Sequence, residues 1–150
     1  MAEVIARHQA ACCLMQNREQ IDYTDYVEDV LDDLRESVQI AKAADIPDDR
    51  IMLDPGVGFG KTYEMNLEII RVVGRLKELG YPVLLGTSRK SVIGLTLDLP
   101  ADQREEGTLV TTVLGVEQGC SFVRVHDVET NARAIRMAEA IFREHDLAVR

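Results

Sequence analysis

Ile51-Met52-Leu53-Asp54-Pro55-Gly56-Val57-Gly58-Phe59-Gly60-Lys61-Thr62, with the residues that follow it, decides how this chain folds. Ile51–Leu53 is a short apolar strand that ends at Asp54-Pro55-Gly56. From Asn66 to Leu79, the apolar residues Leu67, Ile70, Val73, Leu76 and Leu79 then fall on one face of a helix, which Gly80 stops. A brief strand, a turn and an amphipathic helix make one βα unit.

The same unit recurs on both sides. Toward the N-terminus, Ala10–Met15 is an apolar run too short for a helix. Tyr23–Ala44 follows, with Tyr26, Val27, Val30, Leu31, Leu34, Val38 and Ala41 spaced by threes and fours, until Ile46-Pro47-Asp48-Asp49 forms a turn. Toward the C-terminus, a strand at Pro82–Leu85 runs into Gly86-Thr87-Ser88-Arg89-Lys90. A helical piece at Ser91–Leu95 and a helix near Asp102–Gln118 come next. The last unit is a strand at Ser121–Val125 and a helix at Thr130–His145, with Ala134, Ile135, Ala138, Ile141 and Phe142 as its buried stripe. Short apolar strands alternating with amphipathic helices predict an α/β fold with parallel strands. An open doubly wound sheet and a closed barrel both satisfy that pattern, and in both the C-terminal ends of the strands line the ligand site.

Composition narrows the function. The 150 residues are 46% hydrophobic and 29% charged, which suits a single globular domain spanning 1–150. A net charge of -9 opposes a nucleic-acid partner, because a surface that reads the phosphate backbone needs clustered Lys and Arg. The acidic stretch from Asp22 to Glu36 reads as a solvated helix face. Cys12, Cys13 and Cys120 lack CxxC spacing and lie in apolar runs, which predicts reduced, buried thiols. No apolar run is long enough for a membrane span, and the N-terminus lacks the layout of a signal peptide, so the expected location is cytoplasmic.

Three strand ends carry the chemistry. In Asp54–Thr62, glycines at alternate positions allow dihedrals closed to other residues and a close approach to a ligand. A GxxxxGK[ST] phosphate loop would need Gly where Pro55 stands, and a GxGxxG loop would need Gly where Lys61 stands. The Asp54 carboxylate either closes an Asx turn or faces the pocket to accept hydrogen bonds from a ring edge. After Gly86, Thr87-Ser88-Arg89-Lys90 offers two hydroxyls and two cations to an anionic or carbonyl-bearing ligand, or else forms a solvated turn. In Arg124-Val125-His126-Asp127, strand alternation puts Arg124 and His126 on one face as a buried anion-binding pair, while Asp127 is available to cap the next helix. His8 and His145 read as surface residues. With His126 they form no zinc-ligand spacing, and Ser88 lacks the GxSxG elbow.

Taken together and in this order, Leu53–Thr62, Leu85-Gly86-Thr87-Ser88-Arg89-Lys90-Ser91 and Arg124-Val125-His126-Asp127-Val128 resemble dihydropteroate synthase, of the pterin-binding enzyme family. The resemblance implies a (β/α)8 TIM barrel, with this chain as its C-terminal half of about four βα units. It implies condensation of p-aminobenzoate with 6-hydroxymethyl-7,8-dihydropterin pyrophosphate, releasing pyrophosphate. By the same resemblance Asp54, Lys90, Met15 and Phe59 contact the pterin. Ser88, Lys90 and Phe59 contact p-aminobenzoate, and Arg124 with His126 bind pyrophosphate. No residue is assigned as a general acid, general base or nucleophile. Gln16 stands where the family usually has His, which keeps hydrogen bonding but removes a charge that can be switched by protonation.

Barrels of this type take about 250 residues, and the likeness begins at the family's fifth unit. The N-terminal loop with its pyrophosphate- and magnesium-binding Asn, the Thr-Arg loop, and the strand-end Asp and Asn of the pterin pocket have no counterpart in this sequence. Magnesium is therefore implied by the family without a ligand here. The chain alone is expected to be inactive and to need an N-terminal half or self-association. A non-catalytic, self-associating half-barrel and the pterin module of a methyltransferase are the alternatives. Methyl transfer gives Arg124 and His126 no pyrophosphate to bind.

Overall fold

The computed structural model describes residues 1–142. Four short parallel strands alternate with helices: β1 (Cys12–Met15), β2 (Ile51–Asp54), β3 (Leu84–Leu85) and β4 (Phe122–Val123). The helices are α1 (Ala2–Arg7), α2 (Tyr26–Ala43), α3 (Tyr63–Arg71), α4 (Ser91–Leu97), α5 (Glu105–Glu117) and α6 (Val128–Phe142). Cys12 to Met15 lie opposite Ile51 to Asp54, and Leu84 and Leu85 lie opposite Phe122 and Val123. Between the two pairs, Leu53 bridges to Val83 and its N–H donates to the Pro82 carbonyl at 2.9 Å. The strand order is thus β1-β2-β3-β4, without the reversal that defines a doubly wound sheet.

Sequential parallel strands joined by right-handed crossovers send their helices to one face. On that face Ile51, Leu53, Val83 and Leu85 are buried against Leu31 and Leu34 of α2, Ile69 and Ile70 of α3, and Val92 of α4. Each fully buried Leu or Val contributes about 1.5–3 kcal/mol. On the other face, alternation exposes Cys13, Met15, Phe122 and Arg124. This face and the outer edges of β1 and β4 carry no partner among the described residues.

The helix pattern of α2 holds: Val30, Leu31, Leu34, Val38 and Ala41 are buried, and Tyr26 and Val27 are half-buried. The helix expected over Asn66–Leu79 is split. It starts at Tyr63, capped by the Thr62 side chain, which accepts from the Met65 N–H, and after Val72 it tightens into a 3-10 segment, Val73–Leu79. The Gln118 amide enters the break, accepting from the Gly74 N–H at 3.0 Å and donating to the Ile70 carbonyl at 3.0 Å. Those two backbone groups would bond each other in a continuous α-helix. Leu67, in the regular part of α3 ahead of the break, is 42% exposed instead of buried and lines a groove with Val92, Val110 and Leu114.

α1 was not anticipated, and the long helix near Asp102–Gln118 is a 3-10 turn at Ala101–Gln103 followed by α5. α6 packs on α5 and buries Ala138, but Ile141 (62%) and Phe142 (44%) of the expected stripe are exposed. The expected helix end at His145 lies outside the described residues. His8 is exposed, as expected. Of the thiols, Cys12 and Cys120 are half-buried, while Cys13 is exposed on the open sheet face. No described helix is long and apolar enough to cross a membrane.

Candidate functional site

The glycine loop after β2 is shaped by what it packs against. Gly56, Gly58 and Gly60 have φ of +69°, +83° and +57°, in the left-handed region that favours glycine. A Cβ on Gly56 would lie 1.8 Å from the Gln16 carbonyl oxygen, and one on Gly60 would lie 2.2 Å from that of Arg18. The dihedral freedom read from the sequence is therefore used, but the close approach at these two glycines is to the segment leaving β1, not to a ligand. Asn66 anchors the loop from α3, accepting from the Gly58 N–H at 2.5 Å and donating to the Thr62 carbonyl at 2.7 Å. The Tyr23 hydroxyl donates to the Gly60 carbonyl at 3.2 Å.

Asp54 takes both roles the sequence left open. Its Oδ1 accepts from the Gly56 N–H at 2.7 Å, an Asx turn, while Oδ2 faces the space above Gly86, 4.0 Å from where a Cβ there would sit. Arg124 borders the same space, its Cβ 3.9 Å from that position. Gly86 thus leaves a bare floor between an acid and a cation at the ends of β2 and β4. Burial pushes the Asp54 carboxyl above its ordinary range, against the opposing pull of the Gly56 N–H, Lys90, Lys61 and Arg124. Lys90 is pushed down, chiefly by burial; its Nζ donates to the Val57 carbonyl and stands 4.8 Å from the centre of the Phe59 ring. Phe59 (43%) and Met15 (39%), the register partner of Asp54, present open apolar surface beside it.

The third strand end departs from expectation in one respect. Arg124 and His126 do share a face, with Val123 and Val125 half-buried on the other, yet both are exposed rather than buried. Among the described residues β4 is the last strand and its outer edge has no partner, so none of them covers the pair. Ser88 is buried, with its Oγ 2.8 Å from His126 Nδ1 and 3.2 Å from the His126 backbone nitrogen, whose N–H it accepts. Asp127 caps α6, accepting from the Thr130 N–H at 3.0 Å and the Thr130 hydroxyl at 2.7 Å.

Gln16, 2% exposed, is the hub of a polar network under the loop. Its Nε2 donates to Asp33 at 2.8 Å and to the Tyr23 hydroxyl at 3.1 Å, and its Oε1 accepts from Lys61 Nζ. Arg18 grips Asp33 with two hydrogen bonds, at 2.7 and 2.9 Å, and holds that carboxyl below its ordinary range. The acidic stretch is therefore not merely solvated: Asp29 and Asp33 turn inward to Arg18, while Asp32 and Glu36 face water. Sequence reading missed this clamp, and it assigned no role to Lys61, whose burial lowers its pKa to about 8. The Thr62 cap was a signal that could have placed the start of α3.

Parallel strands in sequential order, with an acid, two lysines, an arginine and a histidine gathered at their C-terminal ends, define an α/β ligand-binding site of the strand-end type. The chain belongs to the pterin binding enzyme family, whose pattern matches residues 1–126. Among curated relatives, dihydropteroate synthase of Clostridium beijerinckii is 56% identical over 144 residues, covering 95% of this chain and 54% of that protein. Dihydropteroate synthase of Bacillus subtilis is 49% identical over 141 residues, covering 94% and 50%. The crystal structure of dihydropteroate synthase from Clostridium difficile in the presence of pteroic acid superposes with a TM-score of 0.93 at 48% identity, over 96% of this chain and 55% of that one. The Yersinia pestis enzyme with a pterin-sulfa conjugate gives 0.89 at 33% identity, over 93% and 55%. The chain spans about half the length of the curated relatives it matches.

Proposed function

We propose that this chain supplies half of the substrate site of a dihydropteroate synthase, acting in folate biosynthesis in the cytoplasm as the last four units of a (β/α)8 barrel. The observation that carries this reading is the bare floor at Gly86, bounded by Asp54 and Arg124, with Lys90 over Phe59 beside it. The remaining lone pairs of Asp54 accept hydrogen bonds from the amino and ring N–H groups of a pterin. Met15 and Phe59 cover its faces, and Lys90 bridges the pterin and p-aminobenzoate subsites, with Ser88 at the latter. The amine nitrogen of p-aminobenzoate attacks the pterin methylene carbon as the bond from that carbon to the pyrophosphate oxygen breaks. The electron pair leaves on pyrophosphate, beside Arg124 and His126, and the amine loses a proton. An aromatic amine is already nucleophilic, so the protein contributes alignment and stabilisation of the charge growing on the leaving group.

Sequential strand order, helices on one face and two open edges favour the half-barrel. The described residues do not fit magnesium: no group of three or more metal-ligating side chains is present among them, and Asp54 already spends one oxygen on Gly56. Any metal in the reaction would take its ligands from elsewhere.

The test is calorimetric titration of pterin pyrophosphate into the chain mixed with the portion of the Clostridium beijerinckii relative that lies outside the match. Saturable heat that Asp54→Asn removes is the expected result, and no heat with the unmutated chain overturns the reading. The exposed Cys13, Met15 and Phe122 on the open face support a second reading, self-association. Sedimentation of the chain alone as a cooperatively unfolding monomer would exclude it.

A further inference from the structure

Arg89 is an L-residue held at φ +58°, immediately between Ser88 and Lys90. A left-handed non-glycine residue is strained and persists only where its surroundings over-determine it. Here those surroundings are the first turn of α5. The Arg89 N–H donates to Thr108 Oγ1 at 3.2 Å, and the Arg89 carbonyl accepts from the Arg104 guanidinium at 2.9 Å. The same guanidinium donates to the Lys90 carbonyl at 3.3 Å and to the Leu99 carbonyl at 2.9 Å, so it is spent on backbone. Thr108 is fully buried, its hydroxyl also donating to the Arg104 carbonyl at 3.0 Å. Space for the guanidinium comes from Gly94 in α4, where a Cβ would lie 2.2 Å from it.

We infer that Arg104 and Thr108 are positioning residues that hold Arg89 left-handed, and thereby aim Ser88 at His126 and Lys90 at Asp54 and Phe59. The reversal at Arg89 turns the chain between two residues whose side chains must both face the mouth. Without the clamp Arg89 relaxes to negative φ, and the Lys90 backbone rotates away from the glycine loop. The inference rests on the proposed function only for what Ser88 and Lys90 contact, since the clamp is a property of the ligand-free chain.

The test uses the full chain without ligand. Lys42, Lys61, Lys77 and Lys90 are the only lysines, so lysine labelled with 13C at Cε gives few signals, and Lys90→Arg assigns the one of interest. With its ammonium over the Phe59 ring, the Lys90 Cε proton signal lies upfield of those from Lys42 and Lys77. Arg104→Gln and Thr108→Val are expected to abolish that upfield shift, and Arg89→Gly, which accepts positive φ without strain, is expected to restore it in either background. A folded Thr108→Val chain with an unchanged Lys90 signal overturns the inference, as does a lost signal that Arg89→Gly does not restore. Should Arg104→Gln fail to fold, recovery of folding in the double variant with Arg89→Gly supports the inference and continued unfolding overturns it. Failure of the unmutated chain to bind pterin with its complement would sink the proposed function and leave this result standing.

Discussion

Ser88 Oγ lies 2.8 Å from His126 Nδ1 while accepting the backbone N–H of the same histidine at 3.2 Å. A hydroxyl has one proton and two lone pairs, so with one lone pair taken by the backbone N–H, Ser88 still has a proton to give to Nδ1 and a lone pair to receive one from it, and by either route it ties the ring down. A serine buried beneath the strand end thereby gives an exposed imidazole a fixed orientation.

Ser88→Ala is expected to release the ring from that orientation. The 15N signal of His126 Nδ1, which loses its hydrogen-bond partner, should move. Pyrophosphate affinity of the complemented protein should fall about five-fold, the worth of roughly 1 kcal/mol for one hydrogen bond. An unchanged 15N pattern would remove Ser88 from this role.

Gly56→Ala should destabilise the fold rather than affect binding alone. The new Cβ would meet the Gln16 carbonyl at 1.8 Å, on a residue whose φ of +69° already strains any L-side chain. A loss of about 2–4 kcal/mol in urea unfolding is expected. Gly80→Ala makes an informative comparison: its φ is +82° but nothing lies within 4 Å, so only the backbone strain remains and the loss should be smaller.

Gln118→Leu removes the amide that closes the break between α3 and the 3-10 segment. The Ile70 carbonyl and the Gly74 N–H would lose their partner together, at about 1–3 kcal/mol for each buried group left unpaired. Hydrogen exchange at Gly74 should accelerate well before the α2 core exchanges.

Lys61 predicts a pH dependence with a definite sign. Burial lowers its pKa from 10.5 in the unfolded chain to about 8, with Asp54 and Asp33 pulling it upward and Lys90 pushing it further down. Below pH 8 both states are protonated and the burial penalty is fully present. Between pH 8 and 10.5 the unfolded chain binds more protons, so stability rises with pH across that window. Lys61→Met should abolish the rise in chemical-denaturation curves measured from pH 7.5 to 10.5, and the same slope in the variant would assign the effect to another group.

What the sequence by itself determined was local in origin. Helical spacing in α2 fixed which residues meet the sheet, Asp54-Pro55-Gly56 and Gly86 marked strand ends, and alternation put Arg124 and His126 on one face, because each signal depends on residues within a few positions of one another. Tertiary structure decided the rest. Whether Arg124 and His126 are covered depends on a neighbour for β4, and no periodicity in β4 encodes that neighbour. The helix break at Val72 depends on Gln118, which is 44 residues from Gly74; the left-handed turn at Arg89 depends on Arg104 and Thr108; and the fixed histidine depends on a serine 38 residues away. Hydrogen bonds between such distant groups form only after the hydrophobic layer has brought the strand ends together, so their partners cannot be read from the chain in order.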